Sequence, residues 1–258
     1  MTVTQSIIIA TFNSGKTLQA TLDSLLLQTY KKFEVILVDG LSKDNTVDII
    51  KSNEKRFITV NIPYIWSTEK DSGIYDAWNK GLKKVNSSWV SFLGSDDTYY
   101  PSALDTYNKE INKYPNINYI SSKVEYINSD GNILMIIGKP YEYNQMNRYM
   151  NIAHVGSFHK KALFEKHGNF NTSYNIVADY DFFLKCGLDI KSVYINEVTA
   201  RMLNTGISNN NVKKVFKETL KIQLNHQRNS RLQCYFEYYF SFVRIFKNKI
   251  THAILGRM

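Results

Sequence analysis

Cysteine is almost missing from this sequence: Cys186 and Cys234 are the only two in 258 residues, far apart and without CxxC spacing. That argues against a disulfide framework or a cysteine zinc site and makes a reducing cytoplasm the expected compartment. Proline is scarce as well, at four residues, and the 12 glycines form no repeat. With 43% hydrophobic residues, this excludes a disordered or low-complexity chain. No run of about 18 apolar residues occurs, so no membrane-spanning helix is expected. The start lacks a basic segment followed by a long apolar core and a cleavage site, so no secretory signal is expected. A GxxxxGK[ST] loop, a GxGxxG after a strand and a GxSxG elbow are all lacking, which disfavours P-loop NTPases, dinucleotide dehydrogenases and α/β-hydrolases. What remains is a globular chain long enough to bury roughly 70–75% of its unfolded surface.

Charge is unevenly spread. The net charge is +9, yet residues 212–258 hold ten Lys or Arg against Glu218 and Glu237, a net of +8. The body is therefore nearly neutral and the tail basic. Within the tail, Leu232, Tyr235, Phe236, Tyr239, Phe240, Val243 and Phe246 follow the i, i+3, i+4, i+7 repeat of one helix face. A basic helix with an aromatic face suits an anionic membrane surface. A stripe packed on the body of the protein is the alternative reading, and nucleic acid is the least favoured partner.

Along the first hundred residues, apolar strands alternate with helical patterns. Strands are expected at Ser6–Thr11, Phe33–Val38, Ile62–Ser67 and Trp89–Leu93, with helices from Asn13-Ser14 to about Gln28, from Asn45-Thr46 to about Asn53, and over Ile74–Val85. Units of this length predict a parallel sheet covered on both faces. A helix from Pro101 to about Tyr114 follows. Ile117–Ile127 and Ile133–Ile137, joined by Ser129-Asp130-Gly131-Asn132, then read as a β-hairpin. Residues 138–153 read as a loop, His154–His159 as a strand, Ala162–His167 and Tyr180–Cys186 as short helices, and Lys191–Met202 as a strand. The expectation is an α/β domain with a mixed sheet over residues 1–211, extended by helices over 212–258.

In open α/β sheets ligands bind beyond the carboxyl ends of the strands. Those ends carry Thr11-Phe12-Asn13, Asp39-Gly40, Glu69-Lys70-Asp71 and Asp96-Asp97. Unpaired, such acids would raise one another's pKa values. A divalent cation with oxygen ligands would relieve the repulsion and neutralise nucleotide phosphates. Taken singly, each group has an ordinary explanation: Asp39-Gly40 as a turn, Asp96-Asp97 and Asp179/Asp181 as helix caps, His154 and His159 as structural histidines. Their shared sheet edge favours a site.

Five stretches, SIIIATFN (6–13), VDGLSKDNT (38–46), EKDSGIYDAWNKG (69–81), FLGSDD (92–97) and ADYDF (178–182), together closely resemble the inverting glycosyltransferases of family 2, which have the GT-A fold. The resemblance covers roughly residues 4–205 and implies a Rossmann-like, mostly parallel mixed sheet. It implies that Thr11, Asn13, Asp39 and Asp71 hold the nucleotide, and that Glu69, Asp76, Asn79, Lys80 and Asp96 line the donor-sugar floor. Asp97 is the implied ligand of Mn2+ or Mg2+. Asp179 is the implied general base, with Asp181 as runner-up, and His154 would contact acceptor or pyrophosphate. The 205–208 loop would close over the nucleotide. Two departures stand out: Ser95 replaces the first acid of the family's Asp-x-Asp triplet, and Ala178 replaces an acid before the base.

The resemblance further implies transfer of a hexose or N-acetylhexosamine from a nucleotide sugar, UDP-linked, to a saccharide. The basic aromatic tail suggests a lipid-pyrophosphate-linked acceptor, as in bacterial O-antigen or capsule assembly, and a peripheral position on the inner face of the cell membrane. The competing readings are a sugar-nucleotide nucleotidyltransferase and a catalytically inactive, membrane-docked partner of another transferase.

Overall fold

A computed structural model describes residues 3–206, 208 and 211–255, excluding the side chains of 244–255. Strand β1 (Gln5–Thr11) lies between β2 (Phe33–Asp39) and β4 (Trp89–Gly94), and β3 (Tyr64–Thr68) flanks β2, all parallel. The helices α1 (Leu18–Leu26), α2 (Thr46–Thr59) and α3 (Ile74–Leu82) make the crossovers. The sequence suits this arrangement because both faces are covered. Ile7 and Ile9 enter one core with Val35 and Leu37, while Ile8 and Ile36 enter the other, and all are fully buried. Each such side chain contributes about 1.5–3 kcal/mol relative to exposure.

Beyond α4 (Ala103–Lys113) the sheet becomes mixed. β6 (Tyr119–Ile127) pairs antiparallel with β7 (Ile133–Ile137) and with β8 (Ser157–Lys160), and parallel with β9 (Ser192–Leu203). The sheet order is β3-β2-β1-β4-β8-β6-β9-β5, where β5 is the two-residue strand Thr98–Tyr99. That strand is too short to announce itself in the sequence. The expected strand over His154–His159 begins instead with a 3-10 turn at His154–Gly156, and the 138–153 stretch contains the short helix α5 (Tyr143–Met146). Helices α6 (Lys161–His167) and α7 (Ala178–Cys186) cover the second core.

The C-terminal helices are α8 (Val212–His226) and α9 (Arg231–Leu255). Ile222 of α8 is fully buried in the second core, and Arg228 donates to the Leu184 carbonyl and the Tyr143 hydroxyl. Helix α9 turns Cys234 and Glu237 inward, and Arg148 binds Glu237 at 2.7 Å. The aromatic stripe seen in the sequence is not that packing face: Leu232, Tyr235, Phe236, Tyr239, Phe240 and Val243 are exposed. The side chain of Phe246 lies outside the described residues. No described helix is long and apolar enough to cross a membrane.

Candidate active site

A cleft of about 1360 Å³ opens at the carboxyl ends of β1 and β4, larger than the roughly 300–1,000 Å³ of an ordinary single-ligand pocket. Its polar lining comes from strand ends and the turns after them: Thr11, Asn13, Asp44, Asp71, Asp96 and Asp97. A second group comes from residues far apart in the chain and is largely apolar or aromatic, including Met150, Ile152, Phe216, Leu220 and Tyr238, with His154 and Asp179 among them.

The polar group is held by hydrogen bonds that tie the strand ends and their turns to one another. Asn13 takes a left-handed backbone, φ 50°, and its side-chain oxygen accepts the Lys43 N–H at 2.9 Å. Ser95 is bonded to Ser14 at 2.8 Å, tying the end of β4 to the end of β1. Ser95 therefore has a structural task at the position where the family pattern has an acid. Asp71 accepts the Gly73 N–H at 3.0 Å, and its carboxylate crosses so close to Gly40 that a Cβ there would lie 2.5 Å from it. Asp97 is 8% exposed and accepts the Leu203 N–H at 3.0 Å. Burial, and then the charge of Asp96, pushes the Asp97 carboxyl up to about 8. Asp96 is also raised, by burial, against a hydrogen bond from Thr205.

Two adjacent carboxyls under this strain fit a divalent cation, because a cation would favour their charged forms. No group of three His, Cys, Asp or Glu side chains that could hold a metal occurs among the described residues. Asp96 and Asp97 therefore suit a cation of the kind bound by one or two carboxylates together with substrate phosphates.

Asp179 lines the cleft from the first turn of α7, where the helix N-terminus favours a carboxylate. The Tyr75 hydroxyl of α3 lies 2.9 Å from Asp179 Oδ1 and 2.7 Å from the Ile176 carbonyl. The approach to α7 is held from α8: the Glu218 carboxylate accepts the N–H groups of Asn175, Ile176 and Val177 at 2.9–3.3 Å. Tyr75 and Glu218 escape sequence reasoning, since their targets lie 104 and about 40 residues away. Ala178, where the family pattern has an acid, is fully buried in the second core. His154 stacks on Phe92 with ring centroids 5.5 Å apart. Burial lowers its pKa, partly offset by the charge of Asp179. His159 lies deeper, fully buried, and does not line the cleft.

Several expected site residues stand elsewhere. Asp39 does not line the cleft; it is fully buried, and its two oxygens accept from Thr11, Ser42 (twice) and Thr68. Those bonds already use its acceptor capacity and lock together the ends of β1, β2 and β3. Glu69, Asp76 and Lys80 form an ion network outside the cleft, with Lys80 Nζ 3.3 Å from Glu69 and 3.6 Å from Asp76. Asn79 exchanges two hydrogen bonds with the Phe170 backbone. Asp181 points to α8, paired with His226 at 2.8 Å and Lys185 at 2.7 Å. Of the 205–208 loop, Thr205, Gly206 and Ser208 line the cleft, while Ile207 lies outside the described residues.

The family model for glycosyl transferase family 2 matches residues 6–168. The "PGL/p-HBAD biosynthesis glycosyltransferase" of Mycobacterium bovis is 32% identical over 229 residues, 83% of each chain. Staphylococcus aureus TarS 1–349, solved with UDP-GlcNAc, superposes with a TM-score of 0.70 at 17% identity, covering 90% of this chain and 69% of that one. A mannosyltransferase of Pyrobaculum calidifontis, solved with GDP-Man and Mn2+, gives a TM-score of 0.68 at 15% identity, covering 93% and 70%. At these identities the solved structures speak to the fold alone, and that fold is GT-A.

Proposed function

This chain belongs to glycosyl transferase family 2, and from that premise we propose that it is an inverting transferase moving a hexose or N-acetylhexosamine from a UDP-sugar to a lipid-pyrophosphate-linked saccharide. The reading assigns catalysis to residues 1–211 and places the protein on the inner face of the cell membrane, in polysaccharide assembly of the O-antigen or capsule type. The observation that carries it is one cleft joining the strand-end acids Asp71, Asp96 and Asp97 to Asp179 on a separate helix. UDP-GlcNAc in TarS and GDP-Man with Mn2+ in the archaeal mannosyltransferase support a nucleotide-sugar donor and a cation.

In this reading Thr11, Asn13 and Asp71 receive the nucleotide. Asp39, from behind, keeps Thr11 in place through the 3.0 Å bond to its hydroxyl. Asp96 and Asp97 would hold the cation, which would supply charge stabilisation for the departing nucleoside diphosphate. Asp179 accepts the proton of the acceptor hydroxyl as its oxygen attacks the anomeric carbon. The C–O bond to the diphosphate breaks in the same displacement, so an α-linked donor gives a β-glycoside. Tyr75 and Glu218 are positioning residues, one bonded to the carboxylate of Asp179 and the other to the backbone that leads into its turn. His154, near enough to feel the Asp179 charge, faces acceptor or pyrophosphate.

A thermal-shift panel of UDP, GDP, CDP and TDP, each with Mn2+, Mg2+ or chelator, tests the reading, because a ligand bound to the native state raises stability. Stabilisation by UDP that needs metal is the expected result. Preference for another nucleotide would change the donor, and silence across the panel would sink the transfer reading.

A further inference from the structure

The two faces of α9 differ in kind. Inward, Glu237, Tyr238 and Ser241 line the cleft. Outward stand Leu232, Tyr235, Phe236, Tyr239, Phe240 and Val243, with exposures from 45% for Tyr235 to 85% for Leu232. Six large apolar side chains in one helical row form the kind of patch that marks an interaction surface. The exposed charges of the two C-terminal helices have one sign. Both acids of the C-terminal helices are turned in and engaged, Glu218 on the α7 approach and Glu237 on Arg148. Among the described side chains of these two helices, the exposed charged residues are all cations: Lys213, Lys214, Lys217, Lys221 and Arg231. Lys213, Lys217 and Lys221 follow one another at i, i+4, i+8 along one face of α8, and Lys221, though exposed, also lies 5.4 Å from the centroid of the Tyr174 ring.

We propose that the outward face of α9 lies in the headgroup region of an anionic membrane, with the α8 lysines on lipid phosphates. Because the opposite face of α9 is a wall of the cleft, this contact holds the site at the bilayer surface, where a lipid-borne acceptor is taken up. The chemistry selects this occupant. Phe and Leu need an apolar medium, Tyr keeps its hydroxyl at the wet boundary, and the cations need anions beside it. A two-fold dimer through the same face would bring like charges together. A nucleic acid would have no use for Leu232 or Val243. The acceptor part rests on the transferase reading; the docking part does not.

The test is flotation of the full chain with phosphatidylcholine vesicles, with and without phosphatidylglycerol, at low and high salt. About tenfold stronger partition onto the phosphatidylglycerol vesicles at low salt is expected, weakening as salt screens the lysines. Phe236→Asp with Phe240→Asp should lower binding about tenfold. Lys213→Gln, Lys217→Gln and Lys221→Gln together should remove the lipid preference. An unchanged melting midpoint shows that the variants fold; should the Phe pair fail that control, Leu232→Asp, at the most exposed position of the row, replaces it. Wild-type protein that ignores phosphatidylglycerol vesicles overturns the proposal. So does a stable dimer that the Phe substitutions split, because the face is then an interface between copies. Vesicle binding with a silent nucleotide panel would leave docking standing and remove only the transfer reading.

Discussion

Asp96 and Asp97, at the end of β4, both line the cleft, whereas Asp179 and Asp181, at the start of α7, part company. The strand end runs into a tight turn that presents neighbouring side chains to one opening. On a helix, two residues apart is about 200° of rotation, so Asp179 reaches the cleft and Asp181 the interface with α8. Similar acidic doublets thus have different fates according to the element that carries them. The strand-end pair shares a charge problem that a ligand can relieve. The helical pair is split into one group free for chemistry and one that fastens the C-terminal helices.

The comparison breaks most directly at the helical pair. Asp179→Asn should lower transfer by about 10²–10⁴-fold, as for loss of a general base, while UDP-induced stabilisation stays nearly unchanged. Full activity in this variant would remove Asp179 from the mechanism. Asp181→Ala should act on stability instead, by about 2 kcal/mol, read as a lowered melting midpoint with the KM for the donor unchanged. Its pH dependence has a definite sign. Burial pushes the Asp181 carboxyl up, but hydrogen bonds and charge from His226 and Lys185 outweigh it and hold it below the usual value. The pair therefore stabilises the protein above the ordinary carboxylate range, and its contribution fades as pH falls through the depressed value, below about pH 4. Urea melts should show wild type losing this margin on acidification and Asp181→Ala having little to lose.

At the strand-end pair, Asp97→Ala should weaken metal-dependent UDP binding about tenfold and leave metal-free binding little changed; equal loss with chelator would show a role in packing, not in holding a cation. The smallest effect is expected from Tyr75→Phe. Losing a hydroxyl that lies 2.9 Å from the Asp179 carboxylate should lower kcat about threefold, the scale of one modest hydrogen bond, with the KM for the donor and the melting midpoint unchanged. A lowered melting midpoint with kcat unchanged would make Tyr75 a packing residue only.

Much of this cleft was legible in the chain and some of it was not. Thr11, Asn13, Asp71, Asp96 and Asp97 stand at strand ends, and strand ends announce themselves through apolar runs closed by turn residues. Asp39 looks the same in sequence, yet Thr11, Ser42 and Thr68 have taken its oxygens; only the register of β1, β2 and β3 brings those donors together. Lys80, Glu69 and Asp76 satisfy one another because one turn of α3 lies beside the β3 exit. The stripe on α9 was visible as a periodic pattern, but a period says which residues share a face and not which face meets the protein.

By itself the sequence determined the alternation of strands and helices, the hairpin, the acids at the strand ends and the basic aromatic tail, because these follow from local propensity, period and composition. The tertiary structure alone decided that Asp179 faces the cleft and Asp181 does not, that Glu218 of α8 holds the approach to α7, and that α9 packs through Cys234 and Glu237 with its aromatic row outward. Those outcomes depend on partners 40 to 100 residues away. Which of several possible partners a side chain meets is settled when the whole core packs and each buried polar group must find a counterpart.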